Sequence, residues 1–179
     1  MTETLQGKRF AVIATNGFED SELTSPVEAV RNAGGEVIVV STETGMPIEG
    51  KNGTKVDVDA ASKDVKDDKF DGIILPGGTG NADAIRMDKD AVALVKQHVQ
   101  ADLPLGAICH GAWILADADV LRGRTLTSFP SLKTDLENAG ATWVDEEVHC
   151  DQGLVSSRTP DDLPAFNAKL VEEFAEGEH

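Results

Sequence analysis

The chain has 179 residues, 40% of them hydrophobic, and 32 acidic against 16 basic residues give a formal net charge of −16. That length suits one domain with one sizeable core, and the composition excludes a disordered or fibrous chain. The charge argues against a polyanionic partner, whether nucleic acid or anionic membrane, and no apolar run approaches the roughly 20 residues that span a bilayer. Two cysteines make no disulfide framework, and the N-terminal MTETLQGKRF has no hydrophobic stretch of the secretory kind. A reducing, cytoplasmic location is therefore expected.

KRFAVIA (8–14) is a short apolar run of the kind that forms a buried strand. Ser25 followed by Pro26 predicts an N-cap and a first helical position, with Val27, Val30 and Ala33 on one face and Gly34-Gly35 as the stop. EVIVVS (36–41) reads as the second strand. In 47–59 two short segments flank Lys51-Asn52-Gly53, and Asn-Gly predicts a tight hairpin at one edge. FDGIILPGG (70–78) is a third core strand that ends in Pro-Gly-Gly. An amphipathic helix follows over 88–102, with Val92, Val95 and Val99 on one face and His98 at a polar position.

LPLGAIC (103–109) is the fourth core strand, and a helix over 110–121 starts directly after Cys109. SLKTDLENAG reads as a helix, TWVDEEVHC and LVSS as strands. Thr159, Pro160, Asp161 and Asp162 then predict the start of a last helix, in a capping-box-like pattern. Apolar strands alternating with amphipathic helices imply a single α/β domain over 1–179: a doubly wound, mostly parallel sheet with helices on both faces. Ligands of such folds bind beyond the carboxyl ends of the strands. The segments 15–22, 76–83 and 109–111 lie there.

Ala107-Ile108-Cys109-His110-Gly111 has the small residues, two before and two after the cysteine, that a tight strand-to-helix elbow needs. The N–H groups of the following turn favour a thiolate and a developing oxyanion. Cys109 is equally readable as a small buried hydrophobe, the common role of a cytosolic cysteine. PGGTGNAD (76–83) lacks the glycine order of a dinucleotide site and the Walker lysine, so a plain tight turn also explains it. Of the acids Glu19, Asp20 and Glu22, one facing the elbow would matter chemically. Ionised, it opposes a thiolate; protonated, it donates to one. His149-Cys150-Asp151 is a weak candidate for a distant histidine–acid pair. Cys109, His110, His149 and Cys150 lack the spacing that aims two ligands at one metal.

FEDSELTSP (18–26), DGIILPGG (71–78), AICHG (107–111), LRGR (121–124) and SSRTPDDL (156–163) together resemble the PfpI family of intracellular cysteine hydrolases and stress proteins. The matches run in the family's order from about residue 8 to about residue 170. The resemblance implies a flavodoxin-like fold of the class I glutamine amidotransferase kind. It makes Cys109 the nucleophile, His110 its base and Glu22 the carboxyl group bonded to the cysteine. Gly77 and Gly78 become the backbone donors opposite the elbow. The family's third triad member is an acid from a neighbouring subunit, here Asp83, one methylene shorter than the usual glutamate, which weakens the expectation of peptidase activity. A homodimer or higher homo-oligomer is implied, with no metal or cofactor. The expected chemistry is attack on carbonyl substrates: reactive aldehydes or glycated adducts, or else peptide and amide bonds. The alternative is a redox sensor or protective chaperone with an oxidisable Cys109. Both uses require a thiol of lowered pKa.

Overall fold

The computed structural model describes residues 4–179. The first half holds β1 (Arg9–Ile13), α1 (Asp20–Asn32), β2 (Glu36–Ser41), β3 (Ile48–Glu49), β4 (Lys55–Val56), β5 (Ala60–Ala61), α2 (Ser62–Val65), β6 (Gly72–Leu75), α3 (Thr79–Ile85) and α4 (Lys89–Gln100). The second holds β7 (Leu105–Ile108), α5 (Trp113–Asp117), β8 (Thr125–Leu126), α6 (Lys133–Asn138), β9 (Thr142–Trp143), β10 (His149–Asp151), β11 (Leu154–Ser157) and α7 (Leu163–Glu176). Seven strands form one sheet in the order β10-β11-β7-β6-β1-β2-β5. Every pairing in it is parallel except β10 with β11. Among the described residues no helix is long and apolar enough to cross a membrane.

The alternation of strand side chains divides the core in two. Ala11, Ile13, Ile73 and Leu105 point into one layer with Leu94 and Leu115 from the helices. Phe10, Val12, Ile74 and Ile108 point into the other, against Val27 and Val30 of α1 and Phe166 and Phe174 of α7. Phe10 stacks on Phe174 with centroids 4.5 Å apart, and each such fully buried side chain contributes about 1.5–3 kcal/mol. Strands buried on both sides must be continuously apolar. This is why the core strands were legible, and the doubly wound α/β architecture agrees with the expectation.

Several local expectations are corrected. Helix α1 begins at Asp20, with Glu19 as N-cap, and Pro26 lies inside it. Pro26 therefore does not open the helix; its missing N–H leaves the Glu22 carbonyl without its in-helix donor. The start signal lay more than one and a half turns late, and Glu22 belongs to the first turn of the helix. Residues 79–85 are helical as α3. The helix expected over 110–121 is a 3₁₀ turn at Cys109–Ala112 followed by the short α5. Thr159 makes no side-chain cap; Asp162 instead accepts from the Arg158 N–H at 2.9 Å. His98 is buried, with Nε2 2.8 Å from the Pro104 carbonyl, and burial pushes its pKa down to about 4. The expected hairpin is present as β3–β4. The edge strand β5 and helix α2 were not foreseen.

Candidate active site

The chain runs from β1 outward to β2 and returns to place β6 on the other side of β1, so the switch point lies between β1 and β6. Three connections meet there: β1 to α1, β6 to α3, and β7 to α5. The first two are clamped by Asn81, whose Oδ1 accepts from the Thr15 N–H at 2.7 Å. Its Nδ2 donates to the carbonyls of Pro76 and Gly77 at 3.1 and 3.0 Å. Sequence reasoning passed over Asn81, because an asparagine in a glycine-rich run looks like a turn residue.

Cys109 directly follows β7 with φ at 60°, a left-handed backbone that non-glycine residues rarely adopt. The turn that follows needs Gly111, because a Cβ there would collide with the Leu75 carbonyl. Gly77 is equally constrained. A Cβ on it would strike Glu22 Oε1 and stand 2.7 Å from Cys109 Cβ. The elbow, the glycine loop and Glu22 thus pack in direct contact.

Glu22 is 0% exposed. Its Oε1 accepts from the Gly77 N–H at 2.9 Å, while Oε2 is buried without a formed hydrogen bond. Burial, opposed only in part by the Gly77 N–H, pushes this carboxyl up to about 8. Glu22 is therefore protonated at neutral pH and has an O–H to donate, with the Cys109 thiol coupled to it.

Cys109 is 9% exposed. Burial, and next the charge of an ionised Glu22, push its thiol up to about 12, against the N–H groups of His110 and Gly78, which favour the thiolate. The expected lowered pKa is corrected: in this chain alone the resting thiol is protonated. The first cause is desolvation by burial; the second is that two acidic groups share one crevice, so the second proton leaves less readily than the first.

His110 is 9% exposed. Its Nδ1 lies 3.4 Å from Cys109 Sγ, although neighbouring residues on an elbow usually diverge. Its Nε2 lies 3.4 Å from Ser131 Oγ, and its ring stacks on Phe129 with centroids 4.8 Å apart. Burial, then the positive charge of Lys51, lower its pKa, so the imidazole is neutral and able to take a proton. Lys51 stands at the tip of the β3–β4 hairpin and pairs with Glu19 at 2.8 Å. Asp20 fastens that tip, accepting from the N–H groups of Asn52 and Thr54 at 3.0 and 2.9 Å.

The structure brings Cys109, His110, Glu22, Gly77 and Gly78 together. Gly77 is corrected in role: its N–H is taken by Glu22, so the N–H groups of Gly78 and His110 are the ones that face the sulfur. Asp83 is exposed on α3, and among the described residues it pairs with neither His110 nor Cys109. The His149-Cys150-Asp151 segment stands apart on the edge strand. His149 Nδ1 lies 3.0 Å from Glu146 Oε1, and Asp151 accepts from Arg124 and the Thr125 N–H.

The family model described as "DJ-1/PfpI family" matches residues 8–173. General stress protein 18 of Bacillus subtilis is 46% identical over 167 residues, which cover 92% of this chain and 96% of that one. Protein/nucleic acid deglycase 2 of Escherichia coli is 45% identical over 166 residues, with the same coverage of 92% and 96%. The crystal structure of Drosophila melanogaster DJ-1beta superposes with a TM-score of 0.87 at 31% identity, covering 98% of this chain and 91% of that one.

Proposed function

The chain belongs to the DJ-1/PfpI family, and from that premise we propose that it is a cysteine-dependent enzyme of stress defence. Its substrates are small reactive carbonyl compounds and their adducts, handled in the manner of a glyoxalase or deglycase. One observation carries the reading: a thiol, a neutral imidazole and a protonated carboxyl group converge on one strained elbow. The names of the two bacterial relatives, a stress protein and a deglycase, agree with it.

The chemistry follows from the groups present. Nδ1 of His110 takes the thiol proton, and Sγ of Cys109 bonds to the carbonyl carbon. The C=O π pair moves to oxygen, where the N–H groups of Gly78 and His110 are placed to stabilise it. His110 then returns the proton, giving a hemithioacetal. For an α-oxoaldehyde, moving the C–H proton to the adjacent carbon and the hydroxyl proton to that carbon's oxygen, through an enediol, produces a thioester, and water cleaves it to a hydroxy acid and the free thiol. The sequence is redox-neutral and needs no cofactor. Glu22, protonated and coupled to Cys109, has an O–H to offer the sulfur and places no second negative charge beside it.

Peptide hydrolysis is less well supported, because Nε2 of His110 meets Ser131 and not an acid in this chain. A second reading, an oxidisable thiol without turnover, rests on the same elbow cysteine, and the burial and raised pKa of Cys109 oppose the thiolate that peroxide oxidises as much as the one that attacks a carbonyl. Steady-state assays with methylglyoxal and with an unfolded peptide separate these. Turnover of methylglyoxal that falls about a hundredfold in His110→Ala, and is unchanged in His149→Ala, is the expected result. No turnover of either compound, with peroxide forming a sulfenic acid on Cys109, would establish the second reading instead.

A further inference from the structure

We infer that Ser131 is a positioning residue for His110, completing a Cys109–His110–Ser131 relay within one chain in the place where a triad would put an acid. The inference rests on the reading of Cys109 as the nucleophile. A neutral imidazole carries one proton, and its two nitrogens have different neighbours here. Nδ1 lies 3.4 Å from Cys109 Sγ and Nε2 lies 3.4 Å from Ser131 Oγ. For His110 to accept the thiol proton, Nδ1 must present its lone pair, so the ring proton must sit on Nε2 and find an acceptor there. The Ser131 hydroxyl is that acceptor. It serves both before the transfer, when the ring is neutral, and after it, when Nε2–H is part of an imidazolium.

The ring has little freedom to find another partner. Phe129 covers one side at 4.8 Å, and Trp113 stands edge-on at 6.1 Å. The elbow itself is tied down by the Phe129 N–H, which donates to the Cys109 carbonyl at 3.2 Å. Ser131 follows two residues later, in the 3₁₀ turn Pro130–Leu132 that leads into α6. One short segment thus supplies both the stacking ring and the hydroxyl. The charged and titratable groups coupled to the dyad are Glu22 from α1 and Lys51 from the β3–β4 hairpin. None of these is a carboxylate bonded to Nε2. A hydroxyl can accept from Nε2–H but adds no charge, so it leaves the imidazole less basic than a buried aspartate would. The relay therefore suits a base that takes a proton and readily returns it.

The test reads the thiol directly, so it stands whether or not any carbonyl compound is turned over. The rate of Cys109 alkylation by iodoacetamide is measured from pH 5 to 10 in a Cys150→Ser background. Ser131→Ala should slow it about threefold to tenfold near neutral pH, the size of one neutral hydrogen bond, and shift the pH profile. Ser131→Thr should restore both. In a His110→Ala background Ser131→Ala should add no further loss, because the hydroxyl acts only through the imidazole. An unchanged profile in Ser131→Ala, or an equal loss with and without His110, would overturn the inference. Full alkylation behaviour of this kind with no carbonyl turnover would sink the proposed activity and leave the relay standing.

Discussion

Cys109 at the end of β7 is coupled to Glu22, and Cys150 on the edge strand β10 is coupled to Glu173 of α7. Both glutamates are almost wholly buried, at 0% and 4% exposed. Among the described residues Glu22 has one hydrogen-bond donor, the Gly77 N–H, and no countercation bonded to it, so burial wins and the group holds its proton. Glu173 feels the same burial, but contacts with Glu176, Cys150 and Lys169 outweigh it and keep its pKa below the usual value. Lys169 stands 3.3 Å from one of its oxygens and His179 3.0 Å from the other. The lesson is that burial beside a thiol does not make a reactive site. An ionised glutamate held by a lysine cation and a histidine ring is a clamp, here fastening α7 and the chain end. A protonated one is an acid with a hydrogen to give.

The comparison breaks first on the thiols themselves. Cys109→Ser should abolish turnover, a loss of about a thousandfold or more, as for removal of a nucleophile. Cys150→Ser should leave it within about twofold, because that thiol lies on the edge strand β10 beside Glu173, whereas the His110 imidazole stands against Cys109. Initial rates on one carbonyl substrate decide it. A loss in Cys150→Ser as large as in Cys109→Ser would remove the distinction.

Stability separates the glutamates next, with opposite signs. The folded pKa of Glu22, about 8, lies above its ordinary 4.5. Its stabilising contribution is thus complete below pH 4.5 and is lost as pH rises toward 8. Glu22→Gln does not titrate, so its stability relative to the parent should improve by about 3 kcal/mol between pH 4.5 and 7. Glu173 has the reverse sign, with its contribution present above the ordinary carboxylate range and lost on acidification. Glu173→Gln should cost about 2 kcal/mol at neutral pH by stripping Lys169 and His179 of their partner. That deficit should shrink as the pH falls. Urea unfolding at several pH values measures both, and parallel behaviour of the two variants would refute the contrast.

How much of this was written in the sequence follows from the range of the interactions. Core strands such as KRFAVIA and LPLGAIC show because burial on both faces requires runs of apolar residues, a strictly local signature. The elbow shows for the same reason: the crowding that demands Gly111 lies two residues from Cys109. The start of α1 was misplaced because Ser25-Pro26 is a strong local signal that tertiary packing overrides. Ser131, Asn81 and Lys51 were invisible. Each acts through a partner that is distant in sequence or through loop geometry, and a lone serine, asparagine or lysine carries no pattern. The raised thiol was missed because a helix start argues for a lowered pKa, whereas desolvation depends on how completely three loops close over the sulfur.

The finest difference between the two sites lies in how each thiol responds when its glutamate loses its charge. Below about pH 8 Glu22 is protonated and donates toward sulfur; above it, the carboxylate repels a thiolate. Glu22→Gln keeps a weaker donor and never gains a charge. Alkylation of Cys109 in this variant should therefore be slower than in the parent near pH 7 and faster near pH 9.5, by about threefold on each side, with the two profiles crossing near the Glu22 pKa. Glu173 offers no such reversal, because it is ionised over this whole range. Its removal should lower the Cys150 pKa and speed alkylation of Cys150 in one direction only, measured in a Cys109→Ser background. A Cys109 profile that shifts without crossing would mean that Glu22 is charged at neutral pH and that the two pairs are the same kind of site.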